Sequence, residues 1–164
     1  MKKQWLVMMV VVLLAWVQAE AQVRVVKGAG EKSSMDWSAF SAGGDAVAQT
    51  FFKTLTDDLL RSGWFKRGAP GSSEFVLTGN AAGAGGLRVQ ATVYGRVAAR
   101  QMLGKSYNAD AAGARRLAHQ VADEIIEAVT GRKGIASGRM ALVGTRSGKK
   151  ELYICDADGQ GLTQ

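Results

Sequence analysis

Asp156-Ala-Asp158-Gly159 sets two carboxylates two positions apart beside a glycine, which is how a calcium-binding loop opens. Calcium of the EF-hand type also needs a third oxygen ligand and a downstream bidentate Glu. Only Gln160 to Gln164 follow, so the segment reads as a tight turn. Gly79-Asn-Ala-Ala-Gly-Ala-Gly-Gly86 suggests a phosphate cradle, but no Lys-Ser/Thr follows it. The next element is an alternating strand rather than a helix N-terminus, and a hairpin loop is expected instead. Gly144-Thr-Arg-Ser-Gly-Lys149 has Walker A elements, yet its spacing is one residue short and Lys150 stands where a hydroxyl is required.

His119 is the single histidine, flanked by Ala118 and Gln120. No second His or Cys accompanies it as a metal ligand, and no Ser-His-Asp order presents itself. It is expected at a helix surface or core edge. Asp57/Asp58 and Asp123/Glu124 are adjacent pairs, which a helix points in different directions, so neither pair is a general acid/base couple. Cys155 is the single cysteine; it cannot form an internal disulfide and reads as a small buried apolar residue. No catalytic, cofactor-binding or metal-binding residue is assigned, and nothing in the chain supports catalysis.

The N-terminus fixes the expected compartment. Lys2 and Lys3 precede a thirteen-residue apolar run from Trp5 to Val17, followed by Gln18-Ala-Glu-Ala21. A basic start, a short apolar run and an A-x-A site describe a secretory signal peptide over residues 1–21, cleaved before Gln22. The run is well short of the roughly 20 residues that cross a bilayer. No Cys near the site offers a lipid attachment point.

The net charge is +7, which in the cytoplasm would raise the question of nucleic acid. Export removes nucleic acid as a natural partner. The basic residues (Arg96, Arg100, Lys105, Arg115, Arg116, Arg132, Lys133, Arg146, Lys149, Lys150) are also scattered, with no aromatic stacking platform among them. A solvated basic surface is the first reading, attraction to anionic envelope components the second.

These residues need elements to hold them. Gln22-Val-Arg-Val-Val-Lys27 alternates and then enters a polar Gly/Ser stretch, so 22–34 reads as a short strand or arm with a flexible follow-on. Asp36-Trp-Ser-Ala-Phe40 is expected as an inner strand anchored by Trp37 and Phe40. Val47, Phe51, Leu55 and Leu59 form a helical stripe from an Asp45 start to Gly63 at the C′ position. A second helix runs from about Asp110 to Thr130, with Leu117, Val121, Ile125, Ala128 and Val129 on one face. Between them, Phe75–Thr78 is a short apolar strand, Leu87–Tyr94 alternates as a half-buried strand, and Gln101–Tyr107 returns as its hairpin partner. The order β-α-β-β-β-α implies an α+β fold, a mixed sheet covered by two helices.

At the C-terminal end, Arg139–Val143 and Glu151–Cys155 form a hairpin, and a third run begins at Leu162. A lone hairpin is marginal in water, so this segment reads as the incomplete first unit of a repeat such as a propeller blade.

The order of helix, Thr130-Gly-Arg-Lys-Gly134 turn, Arg139 and strand resembles the junction in the TolB family of the periplasmic Tol–Pal envelope system. Asp58-Leu-Leu-Arg-Ser-Gly-Trp-Phe65 and Phe75-Val-Leu-Thr-Gly79 are similar to two further family stretches. The resemblance implies domains at 22–34 (arm and flexible follow-on), 35–134 (TolB N-terminal α/β domain) and 135–164 (incomplete first propeller blade). It implies a non-enzymatic periplasmic interaction module that supports outer-membrane integrity and cell division through TolA-like and Pal-like partners, without cofactors. The TolA contact would fall on Gln22, Val23, Arg24, Val25 and Val26, adding as a strand to the partner's sheet edge. Pal binding centres on the propeller and is given no residues here. Ala39 stands where the family usually has Pro, Ala136 where it has an aromatic, and Leu142 where it has Tyr. The alternative is a stand-alone exported binding domain for an anionic envelope ligand.

Overall fold

The computed structural model describes residues 30–164. The expected signal peptide and the arm residues Gln22, Val23, Arg24, Val25 and Val26 lie outside the described residues. The strands are β1 (Ser33–Asp36), β2 (Phe40–Ala42), β3 (Phe65–Arg67), β4 (Phe75–Ala82), β5 (Leu87–Gly95), β6 (Arg100–Ala109), β7 (Arg139–Gly144) and β8 (Glu151–Asp156); the helices are α1 (Ala46–Arg61) and α2 (Ala114–Thr130).

The sheet runs β3-β1-β4-β5-β6, with β2 also paired to β4. β1 pairs parallel to β3 and to β4, whereas β4, β5 and β6 are antiparallel. It is the mixed sheet with two helices, an α+β architecture. On β5, Leu87, Val89, Ala91 and Val93 are buried while Arg88, Gln90 and Tyr94 are exposed, so one face is covered and the other open. Phe51, Leu55 and Leu59 of α1 and Leu117, Val121, Ile125 and Ile126 of α2 complete the core beneath it. Asp45 caps α1 by accepting the Ala48 N–H at 2.8 Å, and Gly131 closes α2 at φ 71°.

Four local expectations are corrected. The segment Asp36–Phe40 is not one strand: Asp36 Oδ1 accepts the Ser38 N–H at 2.9 Å and breaks the run into β1 and β2, though Trp37 and Phe40 are both buried. The glycine-rich 79–86 segment is strand as far as Ala82, because Gly79 to Ala82 pair with Ala91 to Arg88; the loop proper is Gly83–Gly86. α2 begins at Ala114, since Asp110 Oδ1 bonds the Gly113 N–H at 2.6 Å in a preceding turn. The stretch expected to be flexible as far as Ser34 already belongs to β1 at Ser33, which is buried and bonds Trp64 O at 2.8 Å. β3 has no counterpart in the sequence reading.

β7 and β8 form a separate two-stranded sheet, with Thr163 bridging Ile154 on its far side. Cys155 is buried, as expected, while Leu142, Val143, Leu152 and Leu162 are exposed. The connection from α2 is fastened by Asp123, which accepts the Ala136 and Ser137 amides, and the Ala157 N–H bonds Gly138 O at 3.0 Å.

Candidate functional site at the helix–hairpin junction

Charged side chains converge where the ends of α1 and α2 meet the turn after β8. Asp58 occupies the buried stripe of α1, three residues after Leu55 and beside Leu59. His119 sits on α2 between Leu117 and Val121, and it is buried because α2 is packed on two sides, by α1 and by β6. Of the two expectations for His119, the helix surface is thereby corrected, and the ring stands at the edge of the core among charged groups. Its Nδ1 stands 2.6 Å from Asp58 Oδ2, and its Nε2 lies 4.0 Å from Asp158 Oδ2. Nε2 is buried without a hydrogen-bond partner.

Asp158 reaches this place from the turn the sequence indicated, whose Gly159 adopts φ 81°. The Gln160 N–H donates to Asp158 Oδ1 at 3.0 Å, Arg115 Nη2 donates to Oδ2, and Arg61 Nη1 lies 4.0 Å away. Arg61 also lies 3.8 Å from Asp58 Oδ1. A cleft of about 160 Å³ opens beside the cluster, between Asp58, Arg61, Ile126, Ile135 and Asp158.

The two carboxylates are tuned apart. Burial pushes the Asp58 carboxyl above its ordinary value, aided by the charge of Asp158 and opposed by the His119 hydrogen bond and Arg61. Burial works on Asp158 in the same sense, but the Gln160 N–H and the Arg115 guanidinium outweigh it and hold Asp158 below the usual carboxylate range. With Nε2 unpartnered, His119 has no hydroxyl or thiol positioned for activation as a nucleophile. The arrangement ties two elements of the fold to a third.

The other residues singled out in the sequence separate as a helix requires. Asp57 pairs with Lys53 at 2.7 Å on the exposed side of α1, while Asp58 turns inward. Glu124 accepts from Lys105 at 2.9 Å and from the Tyr107 hydroxyl at 2.8 Å; burial raises the Tyr107 phenol. Lys105 and Arg115 are therefore engaged in pairs, and Arg132 lies 5.5 Å over the Trp64 ring. Gly144 ends β7, paired with Glu151, and residues 145–150 form the β7–β8 connection. The Asp58–His119–Asp158 association was missed because the partners are distant in sequence; the local signal was an aspartate on the apolar stripe of α1.

No protein-family profile matches the chain. Tol-Pal system protein TolB of Bordetella avium is 31% identical over 176 residues, covering 94% of this chain and 40% of that protein. The TolB of Bordetella pertussis is 30% identical over the same share. That of Syntrophotalea carbinolica is 40% identical over 73 residues, which is 44% of this chain. Among solved structures, TolB from Acinetobacter baumannii superposes with a TM-score of 0.69 at 23% identity, over 81% of this chain and 38% of that one. The chain spans about two-fifths of the length of the Bordetella relatives.

Proposed function

We propose, from the premise that this chain is a TolB-like protein of the Tol-Pal system, that it works as a periplasmic protein–protein interaction module and not as an enzyme. The similarity to TolB across 94% of the chain carries the reading. In sequence the arm Gln22–Val26 precedes the α+β layer, which serves as the platform in this reading. In this reading the arm adds to the sheet edge of a TolA-like envelope protein, with backbone hydrogen bonds giving affinity and alternate side chains giving selectivity. A Pal-like lipoprotein is the second partner. The role is support of outer-membrane integrity and cell division. No described helix is long and apolar enough to cross a membrane. Residues 22–34 serve as the arm and its follow-on, save Ser33 and Ser34, which belong to β1 of the platform; 35–134 make up the rest of the interaction platform, and 135–164 the first part of a propeller blade.

Calorimetric titration of the chain from Gln22 onward with the C-terminal domain of a TolA-like protein from the same cell tests the reading. Saturable one-to-one binding is expected. Heat no greater than dilution, from a chain whose circular dichroism is native, would overturn it.

A further inference from the structure

We propose that His119 is a proton-operated latch between the helical layer and the β7–β8 hairpin: a second proton, on Nε2, bridges Asp58 to Asp158 and draws the turn after β8 onto the helices. Nδ1 is already committed to Asp58 at 2.6 Å. Nε2 faces Asp158 Oδ2 at 4.0 Å and is buried without a partner. An N–H···O bond closes at about 2.9 Å, so the pair is one proton and about 1 Å of movement short of bonding. A buried polar atom left unpaired is costly, and protonation with closure removes that cost.

The charges around the ring favour a proton over a metal ion. Facing it are Asp58 and Arg61 from α1, Arg115 from its own helix, and Asp156 and Asp158 from the turn. Three carboxylates against two guanidiniums leave one negative charge, which one proton cancels. Ligand atoms of His119, Asp156 and Asp158 do lie within 4.8 Å of one another. A divalent cation there would leave the cluster positive and would stand against Arg115, which already occupies Asp158 Oδ2. Asp158, held below the usual carboxylate range, stays anionic where a histidine takes its proton. The connection into the hairpin is clamped to α2 by Asp123, whereas the Ala157 N–H bonds Gly138 O at the base of the hairpin itself. Proton uptake and closure therefore favour one another, by linkage.

The untagged chain has one histidine, so long-range proton–nitrogen NMR reads its ring without ambiguity. Between about pH 8 and about pH 5, the span in which histidines change charge, the ring should start as the Nδ1–H form and gain its proton on Nε2. The amides of Ala157, Asp158 and Gln160 should shift with the same midpoint, and exchange of the Ala157 amide should slow several-fold. Asp158→Asn should lower the midpoint and flatten the turn amides, while the β4–β6 amides stay native. Should that variant not fold, the shared midpoint in the wild type decides alone. The proposal is overturned if the ring titrates while the turn amides stay flat, if no second proton arrives before unfolding, or if the Asp58 carboxyl carries the transition. Stoichiometric zinc or calcium shifting the ring nitrogens at neutral pH would equally replace the proton with a metal.

Discussion

Asp123 on α2 accepts the amide of Ala136 at 2.7 Å from thirteen residues upstream, and with its other oxygen the amide of Ser137 at 2.9 Å. One carboxylate thus fixes how the chain leaves the helical layer for the hairpin. Gly134 lies so close that a Cβ there would stand 2.2 Å from Asp123 Oδ1.

Replacing Asp123 by Ala should therefore loosen the connection while α2 persists. Two amides lose a charged acceptor, at about 1.5–3 kcal/mol for hydrogen bonds to charged groups. Hydrogen exchange should quicken at Ala136 and Ser137 with no loss of helical circular dichroism. Unchanged exchange at both amides would show that the clamp does not hold the connection.

Gly79 sits within β4 at φ 140°, and a Cβ there would stand 1.9 Å from the backbone oxygen of Gln90 on β5. Gly79→Ala should cost about 2 kcal/mol or more, because backbone must move to admit the methyl group. Urea unfolding checks this; a midpoint within error of the wild type would mean that the β4–β5 ladder yields freely.

Much of this fold could be read from residue order, and the failures have physical causes. Phe51, Leu55 and Leu59 repeat at helical spacing, and the alternation from Leu87 to Val93 matches a sheet with one covered face. β3 escaped because Phe65–Arg67 is three residues long, too short for a period, and gains its strand character by pairing with Ser33–Met35. Gly79–Ala82 reads as loop by composition and becomes strand because β5 offers a ladder. At the junction, the turn holding Asp158 was legible while its destination was not. His119 and Asp58 are 61 residues apart, and only the packing of α1 on α2 brings them together.

Asp45 gives a pH dependence with a definite sign. The Ala48 amide, then the Gly83 amide, hold its carboxyl below the ordinary value. A group depressed in the folded state stabilises above its unfolded pKa, about 3.9 for aspartate, and loses that contribution as pH falls through the folded value. The difference in Tm between wild type and Asp45→Ala should be full at neutral pH and shrink as acid is added below about pH 4. A constant difference would show that the carboxylate charge is not what caps α1.

The core draws its buried residues from Met35 to Ile126, with Ala136 at its margin. Deleting residues 139–164 should leave a single cooperative unfolding transition and remove the Asp158 contacts to Arg115 and His119. Gradual, non-cooperative melting of the truncated chain would mean that the hairpin is part of the folding unit.

The central claim is that the arm binds a partner. In a strand, Val23 and Val25 face one way and Arg24 and Val26 the other. One measurement puts this directly: affinity for a TolA-like C-terminal domain and Tm, both taken on the double variant Val23→Asp, Val25→Asp. Loss of binding by at least a hundredfold with Tm nearly unchanged is the predicted result. A fall in stability of a few kcal/mol, as for lost core side chains, without a specific binding defect would contradict it and make the segment an edge strand of this domain's own sheet.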